Sequence, residues 1–277
     1  MQPGPYHLRS TSFFASRYDQ RFSYCLHVPS DYRHDNGRVY PLAVIVHGTE
    51  RRAEGFRDAF RDFAEDHQCV VLAPLFPCGI GEPGELNNYK WLHYGDIRFD
   101  HVLLDMLAEV GEIYHVDAQR VLMYGFSGGG HFAHRFLYLH PERLRAVSIG
   151  APGIVTLLDT SWDWWVGVGN FEDTFKKRLD IEAIRNVAVQ MVIGSEDIET
   201  WEITLKPGDA HWMPGADVQG VNRLERMEAL KRSLQANGVG VRHDVVPGVG
   251  HDGFKMIPAV ESFFGDELQG WRPAPRS

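Results

Sequence analysis

Cysteine is scarce in this chain: three residues, Cys25, Cys69 and Cys78, among 277. They form no CxxC pair and lack the density of a disulfide framework, so a reducing compartment, the cytoplasm, is the expected setting. Long apolar runs are missing too. None approaches the roughly 20 residues a membrane helix needs, and Met1 to Phe14 holds no apolar stretch of signal-peptide length. No basic cluster is present and the net charge is -9, which argues against nucleic acid or an anionic membrane as partner. There is no HExxH, no carboxylate cluster and no phosphate loop, so neither a metal nor a nucleotide cofactor is expected. Internal repeats and low-complexity linkers are absent.

What is present suits one large domain. A hydrophobic fraction of 44% with 12% aromatics supports a full core. Leu42 to Val46, Cys69 to Leu75, Ala146 to Ala151 and Val187 to Ile193 are short apolar runs of the kind that form buried parallel strands. Val241 to Val246 reads as the last strand, and Phe22 to Pro29 alternates as an edge strand does. Helical spacing marks Ala53 to Asp66, carrying Phe56, Phe60 and Phe63, then Asp100 to Tyr114, then Arg223 to Ala236 with a C-cap at Asn237-Gly238. Pro258 is expected in the first turn of a closing helix, and the tail from Arg272 to Ser277 is expected to fray. Strand and helix alternate, which predicts an α/β fold: a mostly parallel central sheet flanked by helices on both faces. Two stretches break the rhythm, 152–186 with Ser161-Trp162-Asp163-Trp164-Trp165, and 198–221 with Trp201 and Trp212. Both follow strand ends, where ligands bind in such sheets. Trp162, Trp164, Trp165, Trp201 and Trp212 are therefore candidates for pocket walls or a lid. Exposed apolar residues in these inserts would support a homodimer.

The segment Val121-Leu122-Met123-Tyr124-Gly125-Phe126-Ser127-Gly128-Gly129-Gly130-His131-Phe132 carries the chemistry. An apolar strand runs into Gly-x-Ser-x-Gly, and Phe132, Ala133, Phe136, Leu137 and Leu139 then follow at helical spacing. That context is the one a nucleophile elbow requires. Glycines leave room where the strand turns sharply into the helix, and the serine hydroxyl projects above the sheet.

An activated serine needs a base, and the base needs an orienting acid. Asp197 follows the strand that ends at Ile193-Gly194, with Glu196 as its rival. His251 follows the last strand in Pro247-Gly248-Val249-Gly250-His251, a loop able to bring it back over Ser127. The developing oxyanion needs preorganised N–H groups. The amide of Gly128, just after the serine, supplies one. The loop His47-Gly48-Thr49 after an early strand supplies another at Thr49, with His47 fixing the loop by hydrogen bonding. An ion pair between Arg98 and Asp100 is expected to be structural.

These motifs resemble the α/β-hydrolase superfamily over about Phe22 to Phe264. Within it, the chain is similar to the poly(hydroxybutyrate)-depolymerase-like and feruloyl-esterase-like proteins. The resemblance rests on Asp105-Met106-Leu107, Tyr114 to Val121, the elbow, and His140-Pro141-Glu142-Arg143-Leu144. It implies a serine hydrolase that cleaves a small or medium apolar carboxylic ester, a small-molecule substrate, through an acyl-enzyme. The same machinery serves an amide or peptide, a thioester or a carbon–carbon bond, and a catalytically silent ligand-binding protein is the reading from another class.

Overall fold

The computed structural model describes residues Gln2 to Arg272; the tail expected to fray lies almost wholly outside the described residues. Eleven strands and eight α-helices alternate along them. The strands are β1 (Arg9–Ser10), β2 (Phe14–Ala15), β3 (Ser23–Val28), β4 (Leu42–Val46), β5 (Val70–Leu75), β6 (His93–Tyr94), β7 (Ile97–Arg98), β8 (Val121–Phe126), β9 (Leu144–Gly150), β10 (Ala188–Gly194) and β11 (Val241–Val246). The helices are α1 (Ala53–Ala59), α2 (Arg61–His67), α3 (Phe99–Ile113), α4 (Gly128–Leu139), α5 (Phe171–Phe175), α6 (Ile181–Arg185), α7 (Arg223–Ala236) and α8 (Gly253–Leu268).

The main sheet runs β1-β3-β5-β4-β8-β9-β10-β11, with β2 also paired to β3. From β5 to β11 every pairing is parallel; β1, β2 and β3 join antiparallel. Every residue of β4 and β8 is buried. Their unbroken apolar runs are what a strand covered on both faces requires, and each fully buried side chain of this size contributes roughly 1.5–3 kcal/mol. Helices α1, α2 and α8 pack together against one face, while α4 and α7 pack on the strands from the other. This is the α/β architecture expected from the alternation.

Three local expectations need correcting. The helix expected over Ala53 to Asp66 is two helices that meet at Phe60, whose backbone (φ -93°, ψ 12°) leaves helical geometry and seats its ring against Tyr124 and Phe264. Pro258 lies inside α8, not in its first turn. The helix begins earlier because Asp252 caps it, its carboxylate accepting from the amides of Phe254 and Lys255. Pro258 then has no N–H for the Phe254 carbonyl. Finally, β3 is not a half-exposed edge: Tyr24 to Val28 are all buried, with β1 and β2 paired along one side, β5 along the other, and α1 packed on the strand.

Because β4, β8, β10 and β11 are parallel, their C-terminal ends lie along one side of the sheet. The loops that leave them carry Thr49, Ser127, Asp197 and His251. The order of strands alone thus gathers residues as far apart as about two hundred positions.

Candidate active site

Ser127 occupies the turn between β8 and α4 with φ 54° and ψ -112°. A non-glycine residue pays strain there, and it is held because the surroundings over-determine it. Its amide donates to the Gly150 carbonyl at 2.8 Å and its carbonyl accepts from the His131 amide at 3.0 Å. The neighbouring glycines are set by close approach. A Cβ on Gly129 would lie 2.2 Å from the Val46 carbonyl oxygen and 2.8 Å from that of His47. One on Gly128 would lie 2.1 Å from the Tyr89 hydroxyl.

The structure brings Ser127, His251 and Asp197 into one hydrogen-bonded chain. Asp197 Oδ2 accepts from His251 Nδ1 at 2.6 Å, and His251 Nε2 lies 2.9 Å from Ser127 Oγ. A carboxylate only accepts, so the imidazole proton sits on Nδ1 and the Nε2 lone pair faces the serine hydroxyl, which donates to it. Asp197 is 1% exposed, whereas Glu196 beside it faces solvent and takes no part in the chain. The acid and histidine loops are tied together: Ser195 N donates to Val246 O, Glu196 N to Val249 O, and Gly248 N to Ser195 Oγ, all within 2.8–2.9 Å. The Phe126 ring packs on the imidazole with centroids 4.6 Å apart. Asp252, next to the histidine, is occupied in capping α8.

Thr49 lines both clefts that open on Ser127, and Gly128 follows the serine in the chain. Gly128 N is the first amide of α4, with no carbonyl one turn behind it. Gly48 comes so close to the elbow that a Cβ on it would lie 3.3 Å from the Phe126 carbonyl oxygen and 3.4 Å from Ser127 Cβ. His47 holds this loop: its Nε2 accepts from the Phe76 amide at 3.0 Å, and burial pushes the imidazole down to about 4, so it stays neutral. Arg51 clamps the far side, donating to the carbonyls of Thr49, Leu86 and Phe76. The Thr49 hydroxyl is buried without a hydrogen-bond partner.

Two clefts open on Ser127. The larger, about 310 Å³, is lined by His251, Arg52, Phe56, Phe126 and Phe254. The smaller, about 70 Å³, is lined by Lys90, Trp91, His131, His211, Ile154 and Arg223. Thr49 and Glu202 border both. None of the five tryptophans expected as pocket walls lines either cleft. Trp201 is 77% exposed and Trp212 is 37% exposed, each on the outer side of the 198–221 stretch. Trp164 packs instead on Phe171 and Phe175, and Trp162 packs under Gly215. Trp165 sits one layer behind the smaller cleft, 5.3 Å from Trp91, with its indole N–H donated to the His211 carbonyl. Apolar anchoring of the insert satisfies the rings of Trp162, Trp164 and Trp165; the tryptophan that reaches the cleft is Trp91, on a short 3-10 turn (Asn88–Trp91).

Sequence reasoning also missed Arg223. Its guanidinium, 2% exposed, donates to Asp197 Oδ1 at 3.2 Å and to Glu202 Oε2 at 2.9 Å. Arg98 and Asp100 form the expected pair at 2.6 Å at the start of α3, with His140 as a third member on the buried carboxylate. His131 and His134 bind backbone amides through Nε2, and no three-ligand metal cluster occurs among the described residues.

Sheet order and the elbow between β8 and α4 define the α/β-hydrolase fold, and solved structures agree. The poly(3-hydroxybutyrate) depolymerase LpqC from Bordetella parapertussis superposes with a TM-score of 0.70 at 24% identity, covering 91% of this chain and 85% of that one. A ferulic acid esterase superposes with a TM-score of 0.62 at 16% identity, covering 95% and 99%. In sequence, the Esterase FrsA of Serratia proteamaculans (strain 568) is 29% identical over 119 residues, 43% of this chain. The match spans 27% of that relative's own length. No family model matches the chain. Among the described residues, no helix is long and apolar enough to cross a membrane.

Proposed function

We propose that this chain is a serine hydrolase that cleaves a carboxylic ester of a small molecule, in the cytoplasm that its few cysteines favour, through an acyl-enzyme on Ser127. The observation that carries the reading is the chain Ser127 Oγ–His251 Nε2, 2.9 Å, and His251 Nδ1–Asp197 Oδ2, 2.6 Å. A relative named an esterase supports the bond type.

Ser127 Oγ bonds to the ester carbonyl carbon while its proton passes to His251 Nε2. The carbonyl electron pair moves onto oxygen, and the amides of Thr49 and Gly128 receive that charge. Removing one such donor typically costs on the order of 100- to 1000-fold in rate. The carbon–oxygen bond of the tetrahedral intermediate then breaks, and the alcohol leaves with the proton held by His251. Water adds to the acyl carbon and gives a proton to His251, which returns it to Ser127 as the acid departs. Asp197 stays ionised and stabilises the imidazolium at each stage.

His251 must reach the leaving oxygen. The alcohol therefore occupies the larger cleft, which His251 lines beside Phe126 and Phe254, and the acyl group occupies the smaller one. The test is turnover of a matched panel: an ester, a thioester, an amide and a β-diketone with the same acyl group. Ester hydrolysis with a specificity constant well above that for the amide and the diketone is expected. Turnover of one of the others in preference would reassign the bond, and binding without turnover of any would favour a silent ligand-binding protein.

A further inference from the structure

The smaller cleft has an electrostatic character at odds with the chain as a whole. The protein carries a net charge of -9, yet one cation buried in the wall of this cleft and another just behind it have no carboxylate in ion-pair contact. Lys90 is 8% exposed, and its ammonium donates only to Asn87 Oδ1, at 2.7 Å. Behind it Arg135, 0% exposed, lies 4.5 Å over the Trp91 ring and donates to the Lys90 carbonyl and the Thr156 hydroxyl. Neither forms an ion pair among the described residues. Burial draws Lys90 down to about 8 and Arg135 down to about 9, so both remain charged at neutral pH. Glu202, the carboxylate in the cleft wall, favours the charged form of Lys90 but makes its ion pair with Arg223. Burying unpaired cations is unfavourable unless something pairs with them.

The neutral groups of the same cleft are donors as well. His131 Nε2 accepts from the amides of Gly153 and Ile154 at 2.9 and 3.1 Å, which puts the ring proton on Nδ1. That Nδ1–H is buried and has no partner. The indole N–H of Trp91, a donor only, is likewise buried and unpartnered, as is the Thr49 hydroxyl. His131 and Trp91 are 5% and 7% exposed. Two spare N–H groups, a hydroxyl and an ammonium therefore belong to residues that line one small cavity beside the reacting serine, and what complements them is a compact, acceptor-rich anion.

We propose that this cleft is a recognition site for a carboxylate on the acyl group, so that the substrate is the half-ester of a short dicarboxylic acid. The proposal rests on the serine-hydrolase reading above, which places the acyl group here and the alcohol beside His251. Lys90 supplies the charge, and Trp91 and His131 supply neutral donors that do not repel it. Arg135 holds the Lys90 backbone and the Trp91 ring in place.

The experiment compares monomethyl succinate with its neutral analogue dimethyl succinate on wild type and Lys90→Met. The anionic ester should be preferred in kcat/KM by about tenfold or more, the discrimination that one charge-assisted hydrogen bond supplies. That ratio should fall toward one in Lys90→Met, and in wild type as pH rises above about 8. A wild-type ratio of one or less overturns the proposal. So does equal loss of both substrates in Lys90→Met, which would place Lys90 at the oxyanion. A separate arm titrates succinate into Ser127→Ala by calorimetry, with Ser127→Ala/Lys90→Met as control. Binding lost in the control supports the site even if no ester is turned over; absence of binding in both overturns it. Should Lys90→Met fail to fold, the wild-type ratio and the succinate titration decide alone.

Discussion

Arg223 and Asp197 form a buried pair at 3.2 Å, on the carboxylate oxygen opposite the one that holds His251. Arg223 is thus a positioning residue: it fixes the plane of the acid that in turn fixes the imidazole, while its other arm holds Glu202 at the border of the two clefts. Taking one partner from a buried pair leaves an uncompensated charge and costs about 3–5 kcal/mol. Arg223→Met should lose stability on that scale in denaturant unfolding and lower kcat, with Arg223→Lys recovering part of both. Unchanged stability and kcat in Arg223→Met would show that Asp197 needs no second partner.

The buried histidines set an acid limit. Burial lowers His47 to about 4 and His134 to about 3, and holds His131 well below its ordinary value. Folded-state values below the unfolded 6.5 mean that the unfolded chain binds more protons as pH falls. The stability these neutral rings contribute is present above about 6.5 and is lost as pH drops toward those folded values. Unfolding free energy should fall across that window. His47→Gln, which keeps an acceptor for the Phe76 amide, should flatten the slope by up to about 1.4 kcal/mol per pH unit. A slope identical in wild type and variant would mean that His47 titrates normally.

Gly129 is a packing requirement. A methyl group there would press into the Val46 and His47 carbonyls, which are backbone and cannot swing aside. Gly129→Ala should cost roughly 3 kcal/mol, the upper part of the overpacking range, and displace the oxyanion loop with it. A melting temperature equal to wild type would contradict this packing.

The tryptophans divide by position. Trp201→Ala removes a largely exposed ring and should leave kcat, KM and stability close to wild type, since surface changes usually stay within about 0.5 kcal/mol. Trp91→Ala empties a wall of the smaller cleft and should cost about 3–5 kcal/mol and raise KM for short acyl esters. A strong KM effect from Trp201→Ala alone would return it to the pocket.

Much of this was legible in the chain because it is local. The run Leu42 to Val46 is the observed β4 to the residue, and Val241 to Val246 is β11. The elbow, its glycines and the positions of Asp197 and His251 follow from a strand–loop order that parallel sheets impose. Pro258 misled because a proline reads as a helix start, while the capping power of Asp252 set the start five residues earlier in α8. Lys90, Trp91, Arg135 and Arg223 left no local signal. They meet because α4, α7 and the turn at Asn88–Trp91 converge in space, and nothing in their spacing announces it. The run Trp162 to Trp165 drew attention by composition, yet large rings are satisfied by packing alone.

The most direct measurement is intact mass after treatment with a fluorophosphonate, on wild type and on Ser127→Ala with its fold checked by circular dichroism. An activated serine held by His251 and Asp197 should give one covalent adduct on wild type and none on Ser127→Ala. No adduct on folded wild type, or an adduct that persists in Ser127→Ala, would contradict the assignment of Ser127 as nucleophile.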